Sequence, residues 1–137
     1  MSRSAPRVVL GEQPYRVDRF WGELPDGFEL GLVSTVAVAP GGEVVVARRN
    51  PSSVLVLGPD GTLGCVFGAG TLSDPHGVNV TATGRILAVD RDAHEVLVFS
   101  LEGEVLMRLG ERDRPRDDAP FNHPTSAAMA ADGEIYV

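Results

Sequence analysis

The sequence predicts an all-β fold, a partial β-propeller built from four-stranded blades. Three stretches repeat one pattern of a branched strand, a glycine-bearing turn and a second branched strand. They are VSTVAVAPGGEVVVA, PHGVNVTATGRILAVD and PTSAAMAADGEIYV. The equivalent positions Val36, Val78 and Ala127 are 42 and 49 residues apart. A repeat of about 40 to 50 residues is typical of propeller blades.

A second hairpin follows each of the first two stretches. The segments SVLVLGPDGTLGCVFG and EVLVFSLEGEVLMRLG each contain two apolar strands around a glycine-bearing turn, and they end at Gly68 and Gly110. Two hairpins give four strands to each blade. No window keeps an apolar period of 3.6 over the ~10 or more residues of a crossover helix, which argues against coiled-coil and βαβ folds.

The repeats divide the chain into a tail and three blades. We expect a tail at 1–14, complete blades at 33–68 and 76–110, and an incomplete blade at 124–137. The segment YRVDRFWG resembles a fourth strand moved to the front, so residues 15–21 are expected to close the ring by completing the last blade. Because propellers close with about four to eight blades, we expect the N-terminal part of a longer protein. The open blade faces of such a fragment favour self-association.

Composition argues against several classes of partner. The chain has a net charge of −7, a pI near 4.8 and no evident basic face, so nucleic acid is not an expected partner. No window approaches the roughly 18 apolar residues of a membrane span, and no signal-peptide core is present. We therefore expect no membrane partner and a cytoplasmic location by default. Cys65 stands alone in an apolar stretch, which indicates a small buried hydrophobe.

The stretch DPHGVNV places a histidine, His76, at the start of the first strand of blade two. In a four-stranded blade the first strand lines the channel and the second runs back. The start of the first strand and the loop after the second therefore lie at the same end. Arg49 lies at such a loop, RRNPSS, after the second strand of blade one. We expect Arg49 and His76 to share one channel mouth, where loops on a rigid scaffold carry function.

Several segments, in order, resemble one propeller family. From about Tyr15 to the end, LPDGFELGLVSTVAV, DPHGVNV, VDRDAHEVLVF and FNHPTSAAMAADGEIYV are similar to NHL-repeat propellers related to peptidyl-α-hydroxyglycine α-amidating lyase. The resemblance implies a six-bladed propeller, of which this chain would hold about two and a half blades. It also implies a catalytic zinc, held by three histidines at the channel mouth, and a structural calcium deeper in the channel.

The resemblance assigns roles to four residues. His76, in the Pro-His-Gly stretch, would be the first zinc ligand, and two further histidines and a catalytic tyrosine would lie beyond Val137. The backbone carbonyls of Val36 and Val78 would bind calcium. Arg49, thirteen residues after Val36, would bind the substrate. The implied reaction cleaves the C-terminal α-hydroxyglycine of a peptide or small-molecule substrate into an amide and glyoxylate. Imidazole suits zinc, and a planar guanidinium suits a carboxylate.

Alternative interpretations stay open at several residues. His76 could line the channel as a polar residue without a metal, and Arg48 could face the channel in place of its neighbour, or either arginine could form a surface ion pair. We expect His94 to form a hydrogen bond within a blade loop and His123 to be a loop residue. Asp90 resembles the acidic residue that links NHL blades by hydrogen bonds, which is a structural role.

Two function classes remain. The first is a zinc-dependent lyase acting on α-hydroxyglycine or a related carbinolamide in the full-length protein. The second is a non-catalytic NHL propeller that binds a peptide or protein on its loop face. A calcium-dependent lactonase fits less well, because such sites rely on carboxylates and not on a Pro-His-Gly start. The fold alone does not choose between the two classes, since propellers host both.

Overall fold

A computed structural model describes residues 5–19, 21–115 and 120–137 of the protein. Residue 20, in the predicted ring-closing strand, and residues 116–119, in the charged loop before the incomplete blade, lie outside this part. The described residues form β-strands and no helix. The strands are β1 Arg7–Leu10, β2 Gln13–Arg16, β3 Leu32–Val38, β4 Val44–Asn50, β5 Ser52–Leu57, β6 Leu63–Phe67, β7 Pro75–Val80, β8 Ile86–Asp90, β9 Glu95–Phe99, β10 Val105–Gly110, β11 Ala128–Met129 and β12 Ile135–Tyr136.

Two four-stranded antiparallel sheets form the blades. β3 to β6 make blade one and β7 to β10 make blade two, each in chain order, and β11 and β12 pair as the beginning of blade three. The two complete blades share one register. Val44 pairs with Leu57, and Ile86 pairs with Phe99, each 42 positions later. The all-β fold and the partial propeller of four-stranded blades are therefore confirmed.

The first hairpin of each complete blade turns through a glycine with positive φ. Gly42 and Gly84 have φ values of 93° and 80°. Their N–H groups donate to the carbonyls of Ala39 and Thr81 at 2.9 Å. Glycine occupies this left-handed region without the steric cost of a Cβ, so the repeated glycine fixes the same turn in both blades.

Apolar layers lie between the blades, because alternate residues of a strand point to opposite faces of its sheet. The layer between blades one and two is formed by Val45, Val54, Val56, Leu72, Ile86, Ala88, Leu97 and Phe99. The layer between blades two and three is formed by Leu87, Val89, Val96, Val98 and Ala127. Each fully buried valine or leucine contributes about 1.5–3 kcal/mol, so blade packing is the main source of stability.

The other face of blade one is only partly covered. Its buried residues are Val46, Leu55 and Leu57, and Leu24 and Phe28 pack against them. On the same sheet, Val36 and Val38 of β3 are 61% and 65% exposed. Blade one therefore presents apolar surface that another element could cover. Self-association through this face stays a prediction.

The N-terminal residues differ from the predicted tail. β1 and β2 form an antiparallel hairpin in which Val8 pairs with Tyr15. The turn contains Gly11, with a φ of 62°. Part of the predicted tail, 1–14, is thus strand, because pairing the two short segments satisfies their backbone hydrogen bonds. β2 ends at Arg16, and ring closure by residues 15–21 stays a prediction.

Candidate functional site

The candidate site lies at the junction of blades one and two, where β4 ends and β7 begins. The innermost strands of the two blades are joined by side-chain hydrogen bonds. Ser34 Oγ donates to the Pro75 carbonyl at 2.7 Å, and the Val78 N–H donates to Thr35 Oγ1 at 2.9 Å. This junction fixes the start of β7, and His76 with it, against blade one.

Arg49 is held at this junction by Asp74. Its Nε and Nη2 donate to the two carboxylate oxygens of Asp74, the Nη2 bond being 2.9 Å long. This hydrogen-bonded ion pair raises the pKa of Arg49, and the more distant charge of Asp92 adds to the shift. The Arg49 side chain is 38% exposed and that of Asp74 is 10% exposed. Arg91 Nη1 lies 3.8 Å from Asp74 Oδ2, so two arginines flank one largely buried carboxylate.

Arg48 lies on the opposite face of β4 and is 5% exposed. Its Nε donates to Ser53 Oγ at 2.7 Å, its Nη1 donates to the Glu29 carbonyl at 2.8 Å, and its Cζ lies 4.9 Å from the centre of the Phe28 ring. Burial lowers the pKa of Arg48. Of the two arginines, Arg49 is therefore the one beside the start of β7.

His76 is partly buried, and its Nδ1 lies 3.4 Å from the carbonyl oxygen of Thr125 in blade three. The next residue, Gly77, is buried against the same segment. A Cβ at Gly77 would lie 2.5 Å from the Thr125 carbonyl oxygen. Glycine is thus needed for β7 to approach blade three this closely.

Val36 and Val78 occupy equivalent positions on the first strands of blades one and two. Val36 pairs with Val46, and Val78 pairs with Ala88. Val36 is largely exposed and Val78 is partly buried. Their predicted calcium-binding role stays a prediction. Among the residues that the structure describes, no group of three or more His, Cys, Asp or Glu side chains is arranged to hold a metal ion.

Asp90 fixes the segment that carries Asp74. Asp90 is fully buried, and its carboxylate accepts the backbone N–H groups of Ser73 at 2.8 Å and Asp74 at 2.7 Å. The expected structural role of Asp90 is confirmed. Asp74 is not among the site residues predicted from the sequence. The signal available there was an acidic residue directly before the Pro-His pair. The site is therefore a chain of contacts from Asp90 to Asp74 to Arg49.

The other two histidines lie at the junction of blades two and three. His94 is 4% exposed, and its Nδ1 accepts the backbone N–H of His123 at 3.0 Å. The two rings meet edge to face with centres 4.3 Å apart. The expected loop hydrogen bond of His94 is confirmed, and the exposed side chain of His123 lies in a loop. The buried His94 therefore fixes the loop before blade three against blade two.

A second charged cluster lies beside Asp90. Glu95, with a side chain 4% exposed, accepts hydrogen bonds from Arg108 at 2.9 Å and from Arg112 at 3.2 Å. Arg112 also donates to the Thr71 carbonyl at 3.0 Å. The buried carboxylates of Asp90 and Glu95 are thus compensated by hydrogen bonds and nearby guanidinium groups, as buried charges must be.

Comparison with known proteins shows weak similarity to two curated proteins. The chain is 27% identical over 134 residues to a Caenorhabditis elegans protein named as a probable peptidyl-alpha-hydroxyglycine alpha-amidating lyase. That alignment covers 80% of this chain and 38% of the relative. The chain is also 33% identical over 70 residues to the Drosophila melanogaster protein brain tumor. That alignment covers 50% of this chain and 7% of the relative. The chain thus spans well under half the length of either relative.

No family model matches the chain. Among solved structures, a Bacteroides caccae protein of unknown function aligns over 90% of this chain and 55% of its own, with 14% identity and a TM-score of 0.41. No helix in the described residues is long and apolar enough to cross a bilayer. The blades and the two curated relatives together fit an NHL-like β fold with weak homology to a lyase-like protein.

Proposed function

We propose that the end of the propeller carrying Arg49 and His76 binds an α-hydroxyglycine substrate and, in the complete protein, cleaves it to an amide and glyoxylate. The observation that carries this proposal is the Arg49–Asp74 ion pair. It fixes an arginine of blade one next to the segment that presents the histidine of blade two. Similarity over 80% of the chain to a protein named as an α-amidating lyase supports the same reaction class.

Arg49 would bind the substrate carboxylate, because a planar guanidinium offers paired donors to a planar anion. The substrate is a carbinolamide, with a hydroxyl and an amide nitrogen on the same carbon. In the reaction the hydroxyl loses its proton, its oxygen forms the aldehyde C=O of glyoxylate, and the C–N bond breaks. The departing nitrogen gains a proton and becomes the amide. Holding the carboxylate fixes the carbon at which this bond breaks.

His76 fits one ligand position of the proposed zinc site. Its imidazole is partly buried and makes one long contact, 3.4 Å from Nδ1 to the Thr125 carbonyl. The two further histidine ligands would lie beyond Val137, as the resemblance implies. A bound zinc would lower the pKa of the substrate hydroxyl. The carbonyls of Val36 and Val78 remain the proposed ligands of a structural calcium.

The test uses the purified protein in the form that its gene encodes, with N-benzoyl-α-hydroxyglycine as substrate. We expect about one zinc per chain and glyoxylate release that stops when the metal is chelated. His76→Ala should lose zinc and glyoxylate release while circular dichroism stays unchanged, because blade packing holds the ring. Arg49→Ala should keep zinc and raise KM. His123→Asn is the control, since asparagine tolerates the positive φ of 52° at this exposed loop residue. A protein without zinc or without glyoxylate release refutes the proposal.

A second candidate function is peptide or protein binding without catalysis at the same end. The observation that favours it is the similarity to protein brain tumor, whose name does not describe a lyase. Its 33% identity exceeds the 27% of the lyase relative, over 50% of this chain against 80%. This function predicts that peptides with a free C-terminus bind through Arg49 and are released unchanged. Fluorescence polarisation with labelled peptides, followed by mass spectrometry of the recovered peptide, separates it from the lyase.

A further inference from the structure

We infer that Asp74 is a positioning residue that presents one edge of the Arg49 guanidinium to the carboxylate of the ligand. This inference rests on the proposed function, because it assumes that Arg49 binds a carboxylate. Asp74 lies two residues before His76, on the segment that joins blade one to blade two. It is buried, with 7% of its surface exposed.

The two carboxylate oxygens of Asp74 occupy one edge of the guanidinium. They accept hydrogen bonds from Nε and Nη2 of Arg49. No hydrogen bond joins Arg49 Nη1 to any residue in the described ranges, and the side chain is 38% exposed. The edge formed by Nη1 and the outer N–H of Nη2 therefore keeps donors without a partner in the described ranges, and these donors can bind a second carboxylate. Guanidinium has donors enough for both, since it carries five N–H groups in a rigid plane.

Asp74 is itself fixed. Its backbone N–H donates to Asp90 Oδ1 at 2.7 Å, and Asp90 is fully buried. The adjacent Pro75 carbonyl accepts from Ser34 Oγ of blade one at 2.7 Å. The rigid segment thus holds Asp74, Asp74 holds Arg49, and the arginine is oriented before a ligand arrives. An arginine that is already ordered loses less conformational entropy on binding than a free one.

The same contact fixes Arg49 relative to His76. Both depend on the start of β7, Arg49 through Asp74 and His76 through its own backbone. A ligand with a carboxylate at one end and a group facing His76 at the other would therefore meet a fixed spacing. The substrate class that this favours is a short acid with the reacting carbon next to the carboxylate, as in α-hydroxyglycine.

The experiment compares two unreactive ligands that differ in one charge, hippurate and hippuramide, by calorimetry on the purified protein in the form that its gene encodes. The wild type should bind hippurate about ten-fold or more tightly than hippuramide, because only hippurate has a charged carboxylate that can accept hydrogen bonds from Arg49. Asp74→Asn should reduce this preference about three- to ten-fold, from the entropy of ordering one long side chain. Asp92→Asn is the matched control, because Asp92 is 55% exposed and its hydrogen bond is to Arg91.

A second measurement reads the positioning contact without any ligand. In nitrogen-15 NMR, the Arg49 Nε–H signal should be protected from exchange in the wild type and in Asp92→Asn, and should lose protection in Asp74→Asn. If Asp74→Asn does not fold, Arg49→Lys keeps the charge and removes the paired donors. It should lose the same preference for hippurate.

Each outcome supports or overturns the inference. An unchanged preference in Asp74→Asn overturns it, and so does tighter hippurate binding, which would show that Asp74 competes with the ligand for Arg49. A wild type without preference for hippurate also overturns it, and glyoxylate release then decides the proposed function separately. Loss of preference in Asp74→Asn together with loss of Nε–H protection supports it, even if the protein releases no glyoxylate.

Discussion

Arg48 offers a test of how the two blades bind the segments that lead into them. Arg48 and Asp90 occupy equivalent positions, since Arg48 pairs with Ser53 and Asp90 pairs with Glu95 in the same register. Asp90 accepts N–H groups from the segment before blade two. Arg48 donates to the Glu29 carbonyl of the segment before blade one. The two blades thus use opposite charges at one position, and the informative changes are Arg48→Ala and Arg48→Asp.

The expected loss follows from the contacts of Arg48. Arg48→Ala removes its hydrogen bonds to Ser53 Oγ at 2.7 Å and to the Glu29 carbonyl at 2.8 Å, and its contact with Phe28. A hydrogen bond to a charged group contributes about 1.5–3 kcal/mol, and relief of guanidinium desolvation offsets part of this. We expect the free energy of unfolding to fall by about 3 kcal/mol. For Arg48→Asp we expect the free energy of unfolding to fall by at least about 2 kcal/mol more, because a buried carboxylate would face the Glu29 carbonyl oxygen, which cannot donate a hydrogen bond to it.

The assay is urea denaturation followed by circular dichroism and by the fluorescence of Trp21, the single tryptophan of the chain. Trp21 lies against Gly61 of blade one, so its emission reports on the blade that carries Arg48. Arg85→Ala, at an exposed turn of blade two, is the control and should leave the midpoint unchanged. An Arg48→Asp variant as stable as Arg48→Ala would refute the reasoning. It would mean that the segment before blade one can direct N–H groups at a carboxylate, as the segment before blade two does with Asp90.

Two further predictions concern the close approach of blade three and the single cysteine. Gly77→Ala should lower the free energy of unfolding by about 1–3 kcal/mol, because its Cβ would lie 2.5 Å from the Thr125 carbonyl oxygen; an unchanged urea midpoint would contradict this. Burial raises the pKa of the Cys65 thiol, and the charge of Glu102 adds to the shift. Iodoacetamide should therefore alkylate Cys65 more slowly in the folded protein than in urea at the same pH. Equal alkylation rates in the folded and unfolded protein would contradict this. The raised pKa also makes folding stability depend on pH: its contribution is fully present below the thiol pKa of the unfolded chain and is lost as pH rises through the thiol pKa of the folded protein.

The propeller could be predicted from the sequence because the blades repeat. The 42-residue spacing between Val36 and Val78 also relates the strand pairs of the two blades: Val44 pairs with Leu57 in blade one, and Ile86 pairs with Phe99 in blade two. The N-terminal hairpin was not predicted. Its two strands have four residues each and lie outside the repeated segments, so no second copy of the pattern marks them as strands. Long-range repetition is a stronger signal than a single short hairpin, because each blade tests the pattern again.

The choice between Arg48 and Arg49 could not be made from the sequence. Alternation along β4 places Arg49 on the face of Val45 and Arg48 on the face of Val46. Both valines are buried, so the sequence pattern is apolar on both faces and does not say which face meets blade two. The structure places Val45 in the layer between the blades and Val46 on the outer face. Only this three-dimensional fact directs Arg49 to the start of β7.

The repeat also explains why the arginine–aspartate contact forms at this junction. Arg91 is the blade-two equivalent of Arg49, 42 positions later, and the position equivalent to Asp74 before blade three, 49 positions later, is His123. A histidine does not offer the two acceptor oxygens that a guanidinium edge requires. Arg91 instead donates to Asp92 at 2.7 Å and lies 3.8 Å from Asp74. Arginines from two blades, Arg49 and Arg91, therefore lie near Asp74 at the start of β7. The repeat does not place an aspartate at the equivalent position of the next junction, and this difference distinguishes the candidate site within the described chain.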